Sequence, residues 1–135
     1  MINGLDHIAV AVQDLDASIE LWCSTFQVPL EHREIRQDQQ VEVAVIRLGS
    51  LRLELVAPTS PDSKVAKFIS ERGEGLHHMA LTAPSAQAEL DRMHKSGVQL
   101  IDRNSRKGAK GNNIGFMHPR ALGGVLVEIV DHDGK

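Results

Sequence analysis

At 135 residues, with 41% hydrophobic and 24% charged side chains and a formal net charge of −3, the chain has the size and balance of one globular domain, not of a disordered or membrane-embedded polypeptide. Its slight acidity removes any general electrostatic reason to bind nucleic acid or an anionic membrane. No apolar run approaches the roughly 20 residues needed to span a bilayer, and no basic segment followed by an apolar signal core opens the sequence, so a cytoplasmic protein is expected.

The first element is an apolar strand over residues 5–12, carrying His7. Asp14 is placed to cap a following helix, in which Leu15, Ile19, Trp22 and Phe26 recur on one face. The single cysteine, Cys23, falls inside that helix and reads as a small packed residue; it cannot form an internal disulfide. Strands follow over 30–36, 40–48 and 51–56, the last two joined by a Gly49-Ser50 turn. Pro58 and Pro61 precede a linking helix over 63–71, and Gly73 and Gly75 follow it.

A second strand with histidines, over 76–83, then begins the pattern again. Pro84 and Ser85 open a helix whose apolar stripe is Ala86, Leu90 and Met93, closed by Gly97. Strands are expected over 98–103, 112–117 and 124–130. Each half thus reads as strand, helix, strand, strand, strand. The fold class is α+β, a single domain of two βαβββ modules over about residues 4–58 and 75–131 with the linking helix at about 63–71.

The repetition also carries chemistry. His7 is echoed by His78, and Glu54 in Leu53-Glu54-Leu55 by Glu128 in Val127-Glu128-Ile129, at nearly the same interval. Taken singly, either histidine can be a hydrogen-bonded core residue, and either glutamate can sit on the solvent side of a strand. Taken together, the four invite a common explanation, because an ionised carboxylate in an apolar strand is costly without a partner. A divalent cation held by two imidazoles and two carboxylates supplies one, and that mixed nitrogen and oxygen set suits Co, Ni, Mn, Fe or Zn. His77 points away from His78 in a strand, His118 before Pro119 either meets substrate or stabilises a turn, and His32, His94 and His132 read as solvent-facing. Glu42, in Val41-Glu42-Val43, is either a carboxylate on an exposed face or, if it faces the metal side, a general base. The basic, glycine-rich loop over 105–113 either holds the phosphates of an acyl carrier or is simply solvated.

These residues, with Gly75-Leu76-His77-His78, Phe116-Met117-His118-Pro119 and Gly123-Gly124-Val125-Leu126-Val127-Glu128, resemble the vicinal oxygen chelate superfamily. Within it they are most similar to the methylmalonyl-CoA epimerase family, from about Leu5 to Ile129. The resemblance implies a cupped, half-open eight-stranded sheet around a metal bound by His7, Glu54, His78 and Glu128, with Co2+ favoured and Ni2+, Mn2+ or Zn2+ as alternatives. It implies an acyl-CoA substrate, a homodimer, and Glu42 and Glu128 as the two bases that remove and return the C2 proton. Glu54 stands where some family members have glutamine, and Asn113 where several have a basic residue. Rival readings on the same fold are a glyoxalase I-like lactoylglutathione lyase, an extradiol dioxygenase and a metal-free small-molecule binder.

Overall fold

The computed structural model describes residues 1–108 and 111–132. The chain forms two compact units, His7–His77 and Met1–Asp6 with His78–Lys135, whose boundaries fall inside two strands.

In the N-terminal unit β1 (Gly4–Ala11) leads to α1 (Leu15–Phe26), and β2 (Leu30–Arg36), β3 (Val41–Leu48) and β4 (Leu51–Pro58) follow. Asp14 caps α1 by accepting from the Ala17 N–H at 3.1 Å. The strand order is β2-β3-β4-β1. The β2–β3 and β3–β4 pairs are antiparallel, and β1 lies parallel to β4. Leu48 pairs with Leu51 across the tight turn, where Gly49 takes φ +63°, so the expected hairpin forms at the expected place. α2 (Lys64–Arg72) is capped by Ser63, whose hydroxyl accepts from the Ala66 N–H at 3.0 Å.

Strand alternation sorts this unit into two faces. Val10, Ala44, Ile46, Leu53 and Leu55 pack with Leu15, Ile19, Trp22 and Cys23 of α1; this is the helix face. Ala9, Ala11, Val41, Val43, Val45 and Val56 lie on the other and meet Val65, Phe68 and Ile69 from α2. Phe26 departs from the expected stripe: it is 53% exposed and only tilts against Trp22, with ring centroids 5.7 Å apart. It is the last residue of α1, and Gln27 beyond it turns into the left-handed region, so no further turn holds Phe26 against the sheet.

The C-terminal unit repeats the plan. β5 (Gly75–Thr82) precedes α3 (Ala86–Lys95), then β6 (Arg106–Lys107), β7 (Asn113–Met117) and β8 (Val127–Asp131), in the order β5-β8-β7-β6. Ser85 caps α3, and Ala86, Leu90 and Met93 are its buried stripe. Two expected strands are shorter here than the sequence suggested. Over 98–103 only Leu100 bridges to Met117. The N–H groups of Ile101 and Asp102 both donate to the Phe116 carbonyl, while the Asp102 side chain accepts from the Phe116 N–H. That wrap around one residue of β7 replaces a ladder. Residues 124–126 are likewise not strand, because Gly123 and Gly124 take φ +71° and +105° and close a 3-10 turn (Pro119–Leu122). Among the described residues no helix is long and apolar enough to cross a membrane.

Gly115 of β7 lies on the α3 side, where a Cβ would stand 2.6 Å from Leu90 Cδ1. Leu90 is fully buried and has nowhere to retreat. Gly115→Ala should therefore destabilise the protein by about 1–3 kcal/mol, the usual range for overpacking, read as a lower urea midpoint with an unchanged slope.

Candidate metal centre

Each unit brings one histidine and one glutamate together by the same device. In the N-terminal unit Ala9 of β1 pairs with Glu54 of β4, and His7, two residues earlier, shares Ala9's face. His7 Nε2 lies 3.7 Å from Glu54 Oε1, with both side chains buried. In the C-terminal unit Ala80 of β5 pairs with Glu128 of β8, and His78, again two residues earlier, places Nε2 3.6 Å from Glu128 Oε1. The register of the two parallel pairs is identical.

Those separations are too long for hydrogen bonds. They are close to the roughly 3.0–3.5 Å between two ligands that each bond one cation at about 2.1 Å. An imidazole nitrogen and a carboxylate oxygen are also the right donors for a divalent ion, so each half-site fits the metal that the sequence resemblance implies.

The surroundings differ between the halves. Glu54 also faces two guanidiniums, Arg52 Nη2 at 3.3 Å and Arg36 Nη1 at 3.7 Å. Arg36 and Glu34 come from β2, on the same face as Val41 and Val43, with which they pair. Glu34 Oε1 is 2.9 Å from His32 Nε2, and its Oε2 accepts from Arg36 Nε at 3.2 Å. Burial pushes the Glu34 carboxyl up, but those hydrogen bonds and the Arg36 charge outweigh it and hold the group below the usual carboxylate range. Around His78 the walls are softer: the Phe116 ring stands edge-on to the imidazole at 5.6 Å, and Arg106 lies over the Phe116 ring at 5.7 Å.

Glu42 requires a correction. In β3 it alternates with Val41, Val43 and Val45, so it projects to the helix face beside Ala44, away from Glu54 and His7. There its carboxylate accepts from Arg33 Nε at 2.7 Å, and Arg33 Nη1 also reaches Asp16 of α1 at 2.7 Å. Glu42 is thus a structural ion pair and not a base on the histidine face. At the corresponding place of the second unit, Asn113 pairs with Asp131 as Glu42 pairs with Ala57; it too faces the helix side, donating to Asp131 Oδ1 at 3.0 Å.

The remaining histidines sort as follows. His77 turns from His78 and stands edge-on to Phe68 of α2 at 4.8 Å, and burial pushes its pKa below the usual range. His118 caps the 3-10 turn by accepting from the Arg120 N–H at 3.1 Å, which is the turn-stabilising alternative. His94 is exposed, whereas His32 and His132 are engaged with Glu34 and Asp6. Of the basic loop, Ala109 and Lys110 lie outside the described residues, while Arg106 and Lys107 form β6. An open groove of about 880 Å³ beside the start of α2, lined by Gln13, Pro58, Ser63, Lys64 and Lys67 among others, takes in neither His7 nor Glu54.

Residues 6–116 match the profile of the Glyoxalase/Bleomycin resistance protein/Dioxygenase superfamily. The chain belongs to that superfamily. It is 38% identical to the uncharacterized protein YqjC of Bacillus subtilis (strain 168) over 98% of this chain and 95% of that one. It is 30% identical to the ethylmalonyl-CoA/methylmalonyl-CoA epimerase of Cereibacter sphaeroides, covering 96% and 98%. A solved methylmalonyl-CoA epimerase in complex with methylmalonyl-CoA and NH4+ superposes with a TM-score of 0.92 at 32% identity, over 99% of this chain and 97% of that one. The α+β class and the superfamily fold expected from the sequence are therefore borne out over nearly the whole length.

Because Glu42 belongs to the helix-face ion pair, Glu42→Gln should leave metal content unchanged and turnover within about threefold, well short of the 10²-fold or greater loss expected for removing a general base. A larger loss of turnover with intact metal content would return Glu42 to the chemistry.

Proposed function

We propose that the chain is a metal-dependent isomerase that epimerises methylmalonyl-CoA, or a close 2-alkylmalonyl-CoA, at C2. The observation that carries this reading is the repeated register of His7 with Glu54 and of His78 with Glu128, in a chain whose full-length relatives include enzymes named for that reaction. In this reading the four side chains hold one divalent ion, cobalt being favoured and nickel, manganese or zinc alternatives. The ion, when bound, would act as a Lewis acid that lowers the energy of the enolate.

The protein's own part is proton transfer in a place from which water is kept. A carboxylate is a weak base for a thioester α-proton, so its reach and the stabilisation of the developing charge decide the rate. Glu128 is the base on one face of C2, in addition to its ligand role. Inversion needs a second proton carrier on the other face. In this reading Glu42 does not supply it, and the candidate on the histidine face of the N-terminal unit is Glu34, which pairs with both His32 and Arg36. The valines of β3 on that face, Val41, Val43 and Val45, provide a dry wall that strengthens electrostatic effects. The reading includes a cytoplasmic homodimer in which the two modules form one cooperative domain.

Purified protein reconstituted with Co2+ and incubated with methylmalonyl-CoA in D2O should exchange the C2 proton and interconvert the epimers, while leaving lactaldehyde-type hemithioacetals untouched. Turnover of the hemithioacetal without C2 exchange would replace this reading with the glyoxalase I-like one.

Elemental analysis should find about one divalent ion per chain in the wild type and a loss of most of it in His78→Ala. Chelation should lower the thermal midpoint of the wild type, since an ion that binds only the folded state stabilises it. Full metal occupancy in His78→Ala would remove His78 from the ligand set.

A further inference from the structure

Arg36 has an unusual position. It ends β2 opposite Val41, on the face that also carries His7 and Glu54, and its side chain is only 16% exposed. Nε is spent on Glu34 at 3.2 Å. Nη1 lies 3.7 Å from Glu54 Oε1, beyond hydrogen-bond distance. Nη2 is buried and finds no hydrogen-bond partner among the described residues. A buried guanidinium N–H left unmatched is costly, and native structures keep such groups where something else is to be bound.

The neighbours on this face cannot satisfy it. Val41, Val43 and Val45 of β3 offer no acceptor, and Glu54 already faces Arg52 and His7. What fits an open guanidinium edge is a planar anion, which arginine takes with parallel N–H donors.

We propose that Arg36 is a specificity residue that binds the free carboxylate of a malonyl-type thioester, with Nη2 donating to it. This rests on the acyl-CoA reading of the same site. The carboxylate is the group that separates a malonyl thioester from an ordinary acyl thioester, and it is attached to the carbon that loses its proton. Abstraction next to an unpaired carboxylate would place two negative charges side by side. A guanidinium on that carboxylate offsets the repulsion, so Arg36 favours both the binding of the malonyl group and its ionisation.

The test compares wild type, Arg36→Gln and Arg36→Lys, all metal-loaded, in their binding of malonyl-CoA and of acetyl-CoA by calorimetry. Metal content and thermal midpoint are recorded for each, and epimerisation of methylmalonyl-CoA is followed alongside. Wild type should prefer malonyl-CoA by at least about tenfold, the value of one charge-assisted hydrogen bond. Arg36→Gln should lose about 10- to 100-fold in affinity for malonyl-CoA while acetyl-CoA binding stays within about twofold. Arg36→Lys keeps the charge without the fork and should fall between, and it carries the comparison should the glutamine variant prove unstable. A wild type without the preference, a variant that keeps it, or equal losses for both ligands would each overturn the assignment. Binding does not require turnover. A wild type that prefers malonyl-CoA through Arg36 yet shows no C2 exchange would refute the epimerase reading and leave the anchor standing.

Discussion

The chemistry of this chain depends on the register of two parallel strand pairs. A shift of one residue between β1 and β4 would send His7 and Glu54 to opposite faces, since side chains alternate strictly along a strand. Ala9 and Ala80, the residues directly opposite the two glutamates, are fully buried and small. A larger side chain in either place would push against the carboxylate. The flanking residues lock the register by filling both faces: Val10 and Leu55 pack beneath α1, while Ala11 and Val56 face α2. Hydrophobic packing thus fixes the position of the polar pair, and the polar pair in turn has to be compensated.

The two halves make that compensation differently. Glu54 lies against Arg36 and Arg52, one guanidinium facing each of its two oxygens. Glu128 pairs across β8 and β7 with Phe116, near Ile114 and Val130, an apolar wall that strengthens its interaction with any charge it meets. The duplicated scaffold therefore carries two non-equivalent carboxylates.

Much of this was legible in the sequence because the repeat reports on itself. The histidine and glutamate of one module identify their counterparts in the other, and the caps Asp14, Ser63 and Ser85 begin helices where their side chains can meet free N–H groups. Glu42 was misplaced although the information was present. Counting back from the Gly49-Ser50 turn, Leu48 faces Leu51 and Val45 faces Glu54, so the odd-numbered residues of β3 share the glutamate's face and Glu42 cannot. The alternation His32, Glu34, Arg36 in β2 was similarly readable as one polar face. Its meaning was not, because only the pairing with β3 shows that Glu34 and Arg36 share the face of Glu54, half-buried, while His32 stays exposed. The failed strand over 98–103 is a case of another kind: its apolar pattern suits a strand, but Asp102 turns back onto the β7 backbone, a competition between side chain and ladder that periodicity does not reveal.

The charge balance on the histidine face of the N-terminal unit links metal and substrate. Arg36 and Arg52 are matched there by Glu34 and Glu54, two guanidiniums against two carboxyl groups. On the proposed function, a divalent cation held by His7 and Glu54 would add positive charge beside the two guanidiniums that already occupy this face. Like charges at such distances repel, and the cost grows in a place screened from water. An anionic ligand that accepts from Arg36 restores the balance. Each therefore improves the site for the other, and by linkage the gain is mutual: whatever factor the ion adds to the affinity for a carboxylate, the carboxylate adds to the affinity for the ion. On that proposal a neutral acyl thioester would have no means of taking part in the exchange, so Arg36 would be more selective in the metal-loaded protein than its open Nη2 alone would make it.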